Sequence, residues 1–171
     1  MLTIRPETIE DQETIFHLTK DAYKQENEAR LINEIRNSNF FIPELSLVAE
    51  KKQEILGHIL FSKISIDSID GSIPSLFLST ISVKPVYQLQ GIGSRLVQEG
   101  FVRSGQLDYE HVVVIGSPRF FRKFGFQPAK EKGILPPFKV PDQCFMIREL
   151  YKDSLKYAGG IVKYLPVFEL V

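Results

Sequence analysis

Cysteine is almost absent from this chain. Cys144 stands alone among 171 residues, which excludes an intramolecular disulfide and any cysteine-built metal centre. Histidine is scarce as well: His17, His58 and His111 are far apart and show no metal-ligand spacing. An excess of either charge is missing, with 21 Lys plus Arg against 21 Asp plus Glu. Without a global basic field, neither nucleic acid nor a membrane surface is an expected partner. No apolar run approaches the roughly 20 residues of a membrane-spanning helix. The stretch 1–6 reads as too short and too polar for an export signal. A reducing compartment fits these absences, and the expected address is cytoplasmic. The length and the 43% hydrophobic content fit a single domain over 1–171 that folds without staples.

What is present centres on residues 81–96. Leu76 to Val83 is apolar-rich and reads as a strand, stopped near Pro85, which cannot continue a sheet ladder. Beyond Gly93, the positions Leu96, Val97, Gly100 and Phe101 fall at helical spacing. A helix that starts at such a loop points unpaired N–H groups and the positive end of its dipole outward. Gly91 and Gly93 have no Cβ, so a ligand can lie directly on that backbone. Gln88-x-x-Gly91-x-Gly93 therefore reads as a phosphate or pyrophosphate site. No Lys-Ser or Lys-Thr follows these glycines, which excludes a P-loop. The third glycine of a dinucleotide fingerprint is replaced by Leu96. The alternative reading is an ordinary strand-to-helix turn whose glycines serve sterics alone.

Before this loop, Leu2 to Arg5 alternates as a first strand. Asp11 to Tyr23 and Glu28 to Arg36 carry helical apolar spacing, with the polar joint Lys24 to Asn27 between them. Ser38 to Glu44 reads as a loop interrupted by Pro43. Leu45 to Glu50 and Ile55 to Ile66 read as strands, and Asp70-Gly71 is a hairpin signal leading to the central strand. Three consecutive strands then form an antiparallel meander, which argues against a doubly wound dinucleotide fold. After the loop helix, His111 to Gly116 is a continuous apolar strand. Ser117-Pro118 opens a short helix that Gly125 ends. Lys130 to Gln143 reads as a proline-containing loop, Cys144 to Leu150 as a strand, Gly159-Gly160 as a turn, and 161–170 as extended. The fold class is α/β of mixed α+β type, a mostly antiparallel central sheet with flanking helices.

The glycine pattern, Q-x-x-G-x-G between strand and helix, resembles the pyrophosphate signature of the GNAT superfamily of N-acetyltransferases. Gly116-Ser117-Pro118-Arg119-Phe120-Phe121-Arg122-Lys123-Phe124-Gly125-Phe126 is similar to that family's second block, which ends in Y-x-x-x-G-F. The downstream stretches, including Pro137-Phe138 and Phe145 to Leu150, resemble a bacterial subgroup of predicted acetyltransferases.

This resemblance implies the GNAT acyl-CoA N-acyltransferase fold, with acetyl-CoA as co-substrate and no metal. The acceptor it implies is a primary amine, on a small molecule or a peptide, attacking directly in a ternary complex. A homodimer is among the arrangements open to it. Ile81 and Val83 would pair their backbone groups with the pantetheine arm, and the Val83 N–H would polarise the thioester. Gln88, Leu89, Gln90, Gly91, Ile92, Gly93 and Ser94 would wrap the pyrophosphate, assisted by the local cations Lys84 and Arg95.

One departure matters. The tyrosine that often protonates the departing thiolate falls at Phe121, which can pack against pantetheine but cannot donate a proton. Glu26 and Glu28, at the joint between the first helices, are candidates for attracting the acceptor or acting as base; the alternative is a solvated helix start. Tyr87, Tyr157 and Tyr164 are further phenols that could serve as the acid. A non-catalytic acyl-CoA-binding or sensing module that kept the groove and lost the acid is the competing reading. An unrelated phosphate-ligand binder is a third.

Overall fold

A computed structural model gives the fold and describes residues 1–156 and 158–163. In chain order the elements are β1 (Thr3–Pro6), α1 (Gln12–Tyr23), α2 (Asn27–Arg36), β2 (Phe41–Lys51), β3 (Glu54–Ser68) and β4 (Gly71–Val83). There follow α3 (Ile92–Gln106), β5 (His111–Ile115), the short α4 (Pro118–Phe121), β6 (Gln127–Pro128), β7 (Ile134–Leu135), β8 (Phe145–Glu149) and β9 (Gly160–Lys163). The strands form one sheet in the order β1-β2-β3-β4-β5-β8-β6, with β9 beside β3 and β7 beside β9. The β2-β3-β4 meander is antiparallel. Among the described residues, parallel pairing is confined to β4–β5 and β7–β9.

Two helical layers cover the sheet. On one face, α1 and α2 place Ile15, Leu18, Leu31, Ile32 and Ile35 against Val48, Ile55 and Leu60. On the other, α3 places Leu96, Val97 and Phe101 against Phe61, Leu76 and Leu78. These are the positions the helical spacing selects, because apolar surface is driven out of water on one stripe per helix. The α3 layer is tight at Gly100, where an added Cβ would stand 2.3 Å from the Phe61 ring. Gly100→Ala should therefore lower stability by about 1–3 kcal/mol through overpacking, even though alanine favours helix. A urea titration that finds no loss would show that the Phe61 ring can yield.

Several boundaries differ from the sequence expectation. Pro43 lies inside β2 and does not break it. It sits in the segment between Phe41 and Ser46, where the β2–β3 register shifts and no regular ladder is interrupted. Likewise β4 starts at Gly71 and runs through Pro74, whose side away from β3 is not covered by β5. The expected loop 130–143 contains the short strand β7. Gly160 begins β9 and is not a turn residue; β9 takes the edge of β3 at Ser65–Asp67, beyond the reach of β2. Residues 164–170 of the expected extended segment lie outside the described residues. So do Tyr157 and Tyr164.

Candidate active site

The site begins where two strands stop pairing. β4 and β5 are in register only at Leu76–Val112 and Phe77–Val113. Past Phe77 they diverge, leaving Leu78–Val83 on one wall and Val114–Gly116 on the other of a cleft of about 530 Å³. A bulge contributes: Leu60 of β3 opposes Thr80 and Phe61 opposes Leu78, so Ser79 is an extra residue in β4. An extra residue increases local twist and exchanges the faces of everything beyond it. Leu76 and Leu78 pack on the α3 side before the bulge, and Ile81 and Val83 do so after it.

The direction of the backbone groups follows from the ladder. The Lys84 N–H donates to the Leu56 carbonyl at 2.8 Å. Antiparallel pairs alternate between hydrogen-bonded and non-hydrogen-bonded, so Ile81 and Val83 turn their N–H and C=O away from β3. Both point into the cleft. Two contacts agree with this. The Ile81 N–H donates to Tyr23 Oη at 3.2 Å. The Val83 carbonyl accepts from Gln88 Nε2 at 3.0 Å.

The glycine loop closes one end of the cleft. After a short turn at Pro85–Tyr87, Gly91 caps α3 at φ 85°, and nothing lies within 4 Å of where its Cβ would stand. Ile92, Gly93 and Ser94 form the first turn of α3, which carries no acidic side chain, so its outward N–H groups face no competing anion. Gln88, Leu89, Gly91, Ile92, Gly93 and Ser94 line the cleft, whereas Gln90 does not. Lys84 is paired with Glu54 at 2.5 Å, and Arg95 is not on the cleft wall. Lys123, which sequence reasoning did not single out, is on the wall and stands 4.6 Å from the Phe120 ring centre.

Phe120 and Phe121 form an aromatic wall, edge to face at 4.9 Å. Phe121 is only 7% exposed. Its ring touches Phe126 at 5.6 Å between centroids and lies against Gly116, where an added Cβ would be 2.5 Å away. The side chain is thus both cleft lining and core.

The two candidate carboxylates separate. Glu26 is paired with Lys20 at 3.1 Å and Arg30 at 2.7 Å. Hydrogen bonds from Lys20 and then Arg30 hold it below the usual carboxylate range, which makes it a poor proton acceptor. Glu28 accepts a hydrogen bond from Gln25 Nε2 at 2.9 Å, and its charge reaches the Tyr23 phenol. Neither carboxylate lines the cleft.

Tyr23 does line it, and sequence reasoning missed this residue as a site group. It is the last residue of α1, and Lys24 ends the helix in a left-handed conformation at φ 59°. The available signal was a phenol at the end of a helix that borders the joint. Burial raises the phenol above its ordinary pKa, the Ile81 hydrogen bond opposes this, and the Glu28 charge adds to the rise. The histidines are elsewhere: His58 is buried against Ser46 at 2.9 Å and His111 against Ser75 at 2.6 Å, while His17 is on an exposed face. Among the described residues no group of three or more His, Cys, Asp or Glu could hold a metal ion. No helix among them is long and apolar enough to cross a membrane.

Comparison with known proteins agrees with this architecture. The chain is 26% identical to the uncharacterized N-acetyltransferase YhbS of Escherichia coli over 164 residues, covering 95% of this chain and 96% of that one. It is 28% identical to the uncharacterized N-acetyltransferase YjhQ of the same organism, over 88% and 86% of the two chains. The crystal structure of E. coli YhbS in complex with CoA superposes with a TM-score of 0.91, at 25% identity, over 98% of this chain and 92% of that one. A Brucella melitensis GNAT family acetyltransferase in complex with acetyl-CoA gives 0.78, at 26% identity, over 98% of each. The family profile described as an acetyltransferase (GNAT) domain matches residues 37–128, from the loop before β2 to β6, and this chain belongs to the GNAT family of acetyltransferases.

Proposed function

We propose that this protein transfers the acetyl group of acetyl-CoA to a primary amine by direct attack in a ternary complex. The observation that carries the reading is the free edge of β4, whose Ile81 and Val83 backbone groups face a cleft that ends at the glycine loop. A pantetheine arm carries amides and can add to that edge as a strand would. The residues fit the co-substrate: open backbone at Gly91, unpaired N–H groups at the start of α3, and apolar rings along the opposite wall. In this reading Gln88, Leu89, Gln90, Gly91, Ile92, Gly93 and Ser94 surround the pyrophosphate, and Phe121 packs against the arm. The arm runs back along β4 from the loop, so Val83 meets it before Ile81 does. That order assigns an amide of the arm to Val83 and polarisation of the thioester to the Ile81 N–H, one residue pair further than the sequence expectation. A hydrogen-bond donor fixed where negative charge develops is worth more there than in water.

The second reading, an acyl-CoA-binding module without catalysis, draws on Phe121, which places no phenol at the family's usual acid position. Thiol release from acetyl-CoA against a panel of amines, polyamines and peptides separates the two. Turnover with any acceptor supports transfer; tight CoA binding with no thiol release supports the module.

The acceptor is expected to approach from the α1–α2 joint, where Glu28 supplies negative charge that Glu26 has already spent on Lys20 and Arg30. Glu28→Gln should raise the KM for a cationic acceptor several-fold and leave CoA affinity unchanged, with the effect shrinking at high salt. Glu26→Gln should do much less. Equal effects of the two changes on KM would remove this distinction.

A further inference from the structure

We infer that Tyr23 is the catalytic acid of this protein, the phenol that protonates the departing thiolate from the α1 wall of the cleft. The inference rests on the transfer reading above, and it begins from a contact that reading does not require. The Tyr23 hydroxyl is held at the free edge of β4, 3.2 Å from the Ile81 N–H. It accepts that hydrogen bond through an oxygen lone pair, so its own hydrogen remains available for donation.

Position and rigidity both favour this role. Thr19 and Tyr23 stand four residues apart on one face of α1, the spacing that puts two side chains side by side. Thr19 Oγ1 is 3.4 Å from Ser82 Oγ, and Tyr23 reaches Ile81. Two consecutive residues of β4 thus seat the end of α1 on the strand whose edge meets the thioester. A carbonyl oxygen that takes the Ile81 N–H replaces Tyr23 Oη as its acceptor and has the hydroxyl as its neighbour at the same strand edge. Among the described residues the opposite wall offers no phenol, because Phe121 carries only carbon in its ring, and its one cation, Lys123, stands over the Phe120 ring. Tyr87 belongs to the turn before the glycine loop, where the phosphates are placed. Tyr109 packs against the main core and is not on the cleft wall, and Tyr151 is exposed away from it.

Burial first, and the Glu28 charge after it, keep the phenol in its donor form against the pull of the Ile81 hydrogen bond. Glu28 is the neighbouring carboxylate, and the phenol is protonated at neutral pH. Lys123 is the cation on the cleft wall, on the Phe120 side. The acceptor ammonium first gives one proton to water, and the lone pair of the neutral amine so formed makes the C–N bond to the acetyl carbon. The C–S bond breaks with its electron pair going to sulfur, and sulfur takes the Tyr23 proton. The nitrogen's surplus proton leaves through water, and one proton returns to the Tyr23 phenolate. The products are the amide, free CoA thiol and the proton the ammonium brought.

Tyr23→Phe keeps the ring and removes only the hydroxyl. It should lower kcat about 100-fold, the low end for a positioned acid, because a thiol of pKa about 8.5 is already a tolerable leaving group. CoA affinity by calorimetry should stay within about twofold, and Tyr151→Phe should leave kcat unchanged. A merely structural tyrosine would not move the pH profile. Replacing Tyr23 with a fluorinated tyrosine, whose phenol ionises at lower pH, should shift the descending limb of kcat down the pH scale. A Tyr23→Phe variant that keeps its kcat within threefold, while the wild type turns over, overturns the assignment and leaves the transfer reading standing. A wild type that binds acetyl-CoA but releases no thiol with any amine overturns the transfer reading, and the acid with it.

Discussion

Gly93→Val should weaken CoA binding at least tenfold, about 1.4 kcal/mol, and leave the fold intact. Gly93 is in the first turn of α3, and the nearest neighbours of a Cβ there would be the side chains of Ile81, Val83 and Phe120, at 3.8–3.9 Å. Those are ordinary contacts, so stability should hold within about 0.5 kcal/mol. The branched side chain nevertheless enters the cleft beside the backbone on which the phosphates are placed. Gly91→Val is the less informative change. Its backbone at φ 85° is a conformation that a β-branched residue adopts only under strain, so lost affinity would mix with local distortion. Calorimetric titration of CoA into folded Gly93→Val that returned the wild-type affinity would exclude the loop as the pyrophosphate site.

The second large effect concerns stability. Phe121→Ala should cost about 3–5 kcal/mol, the range for truncating a buried aromatic side chain. The ring is nearly enclosed, with edge-to-face partners Phe120 and Phe126 and the Gly116 backbone beneath it. Removing it opens a void that joins the cleft, and water entering there would soften the loss towards the lower figure. Chemical denaturation of the variant without ligand measures this. A loss under about 1 kcal/mol would mean that the ring is held by the cleft and contributes little to the core.

The glycine loop was readable because its information is local: Gln88, Gly91 and Gly93 lie within six residues, and their geometry follows from missing side chains. The meander was readable from Asp70-Gly71 and the alternation around it. Pro43 misled because a proline forbids a strand only where its nitrogen must donate to a neighbour, and that depends on which neighbour is present; Pro74, inside β4, follows the same rule. The bulge at Ser79 has no sequence signature. It is a mismatch between two strands, and it appears only when β3 and β4 are set in register. Tyr23 was missed for a related reason: its place at the helix end was readable, but its partner, Ile81, is 58 residues away. Glu26 and Glu28 look equivalent in the sequence, and differ because Lys20 and Arg30 surround one of them. Pattern reading finds groups whose role is set by their neighbours in the chain, and misses those whose role is set by neighbours in space.

The divergence of β4 from β5 also has a thermodynamic side. The sheet folds with part of one strand's hydrogen-bonding capacity unspent, so the native state is less stable than the same sheet with that edge paired. A ligand that pairs with the edge binds the native chain and not the unfolded one, and it shifts the folding equilibrium by mass action. At a free concentration 100 times its Kd the gain is about 2.7 kcal/mol, a large fraction of the roughly 5–15 kcal/mol that keeps a domain folded. Resistance of the chain to proteolysis would then rise and fall with the supply of CoA.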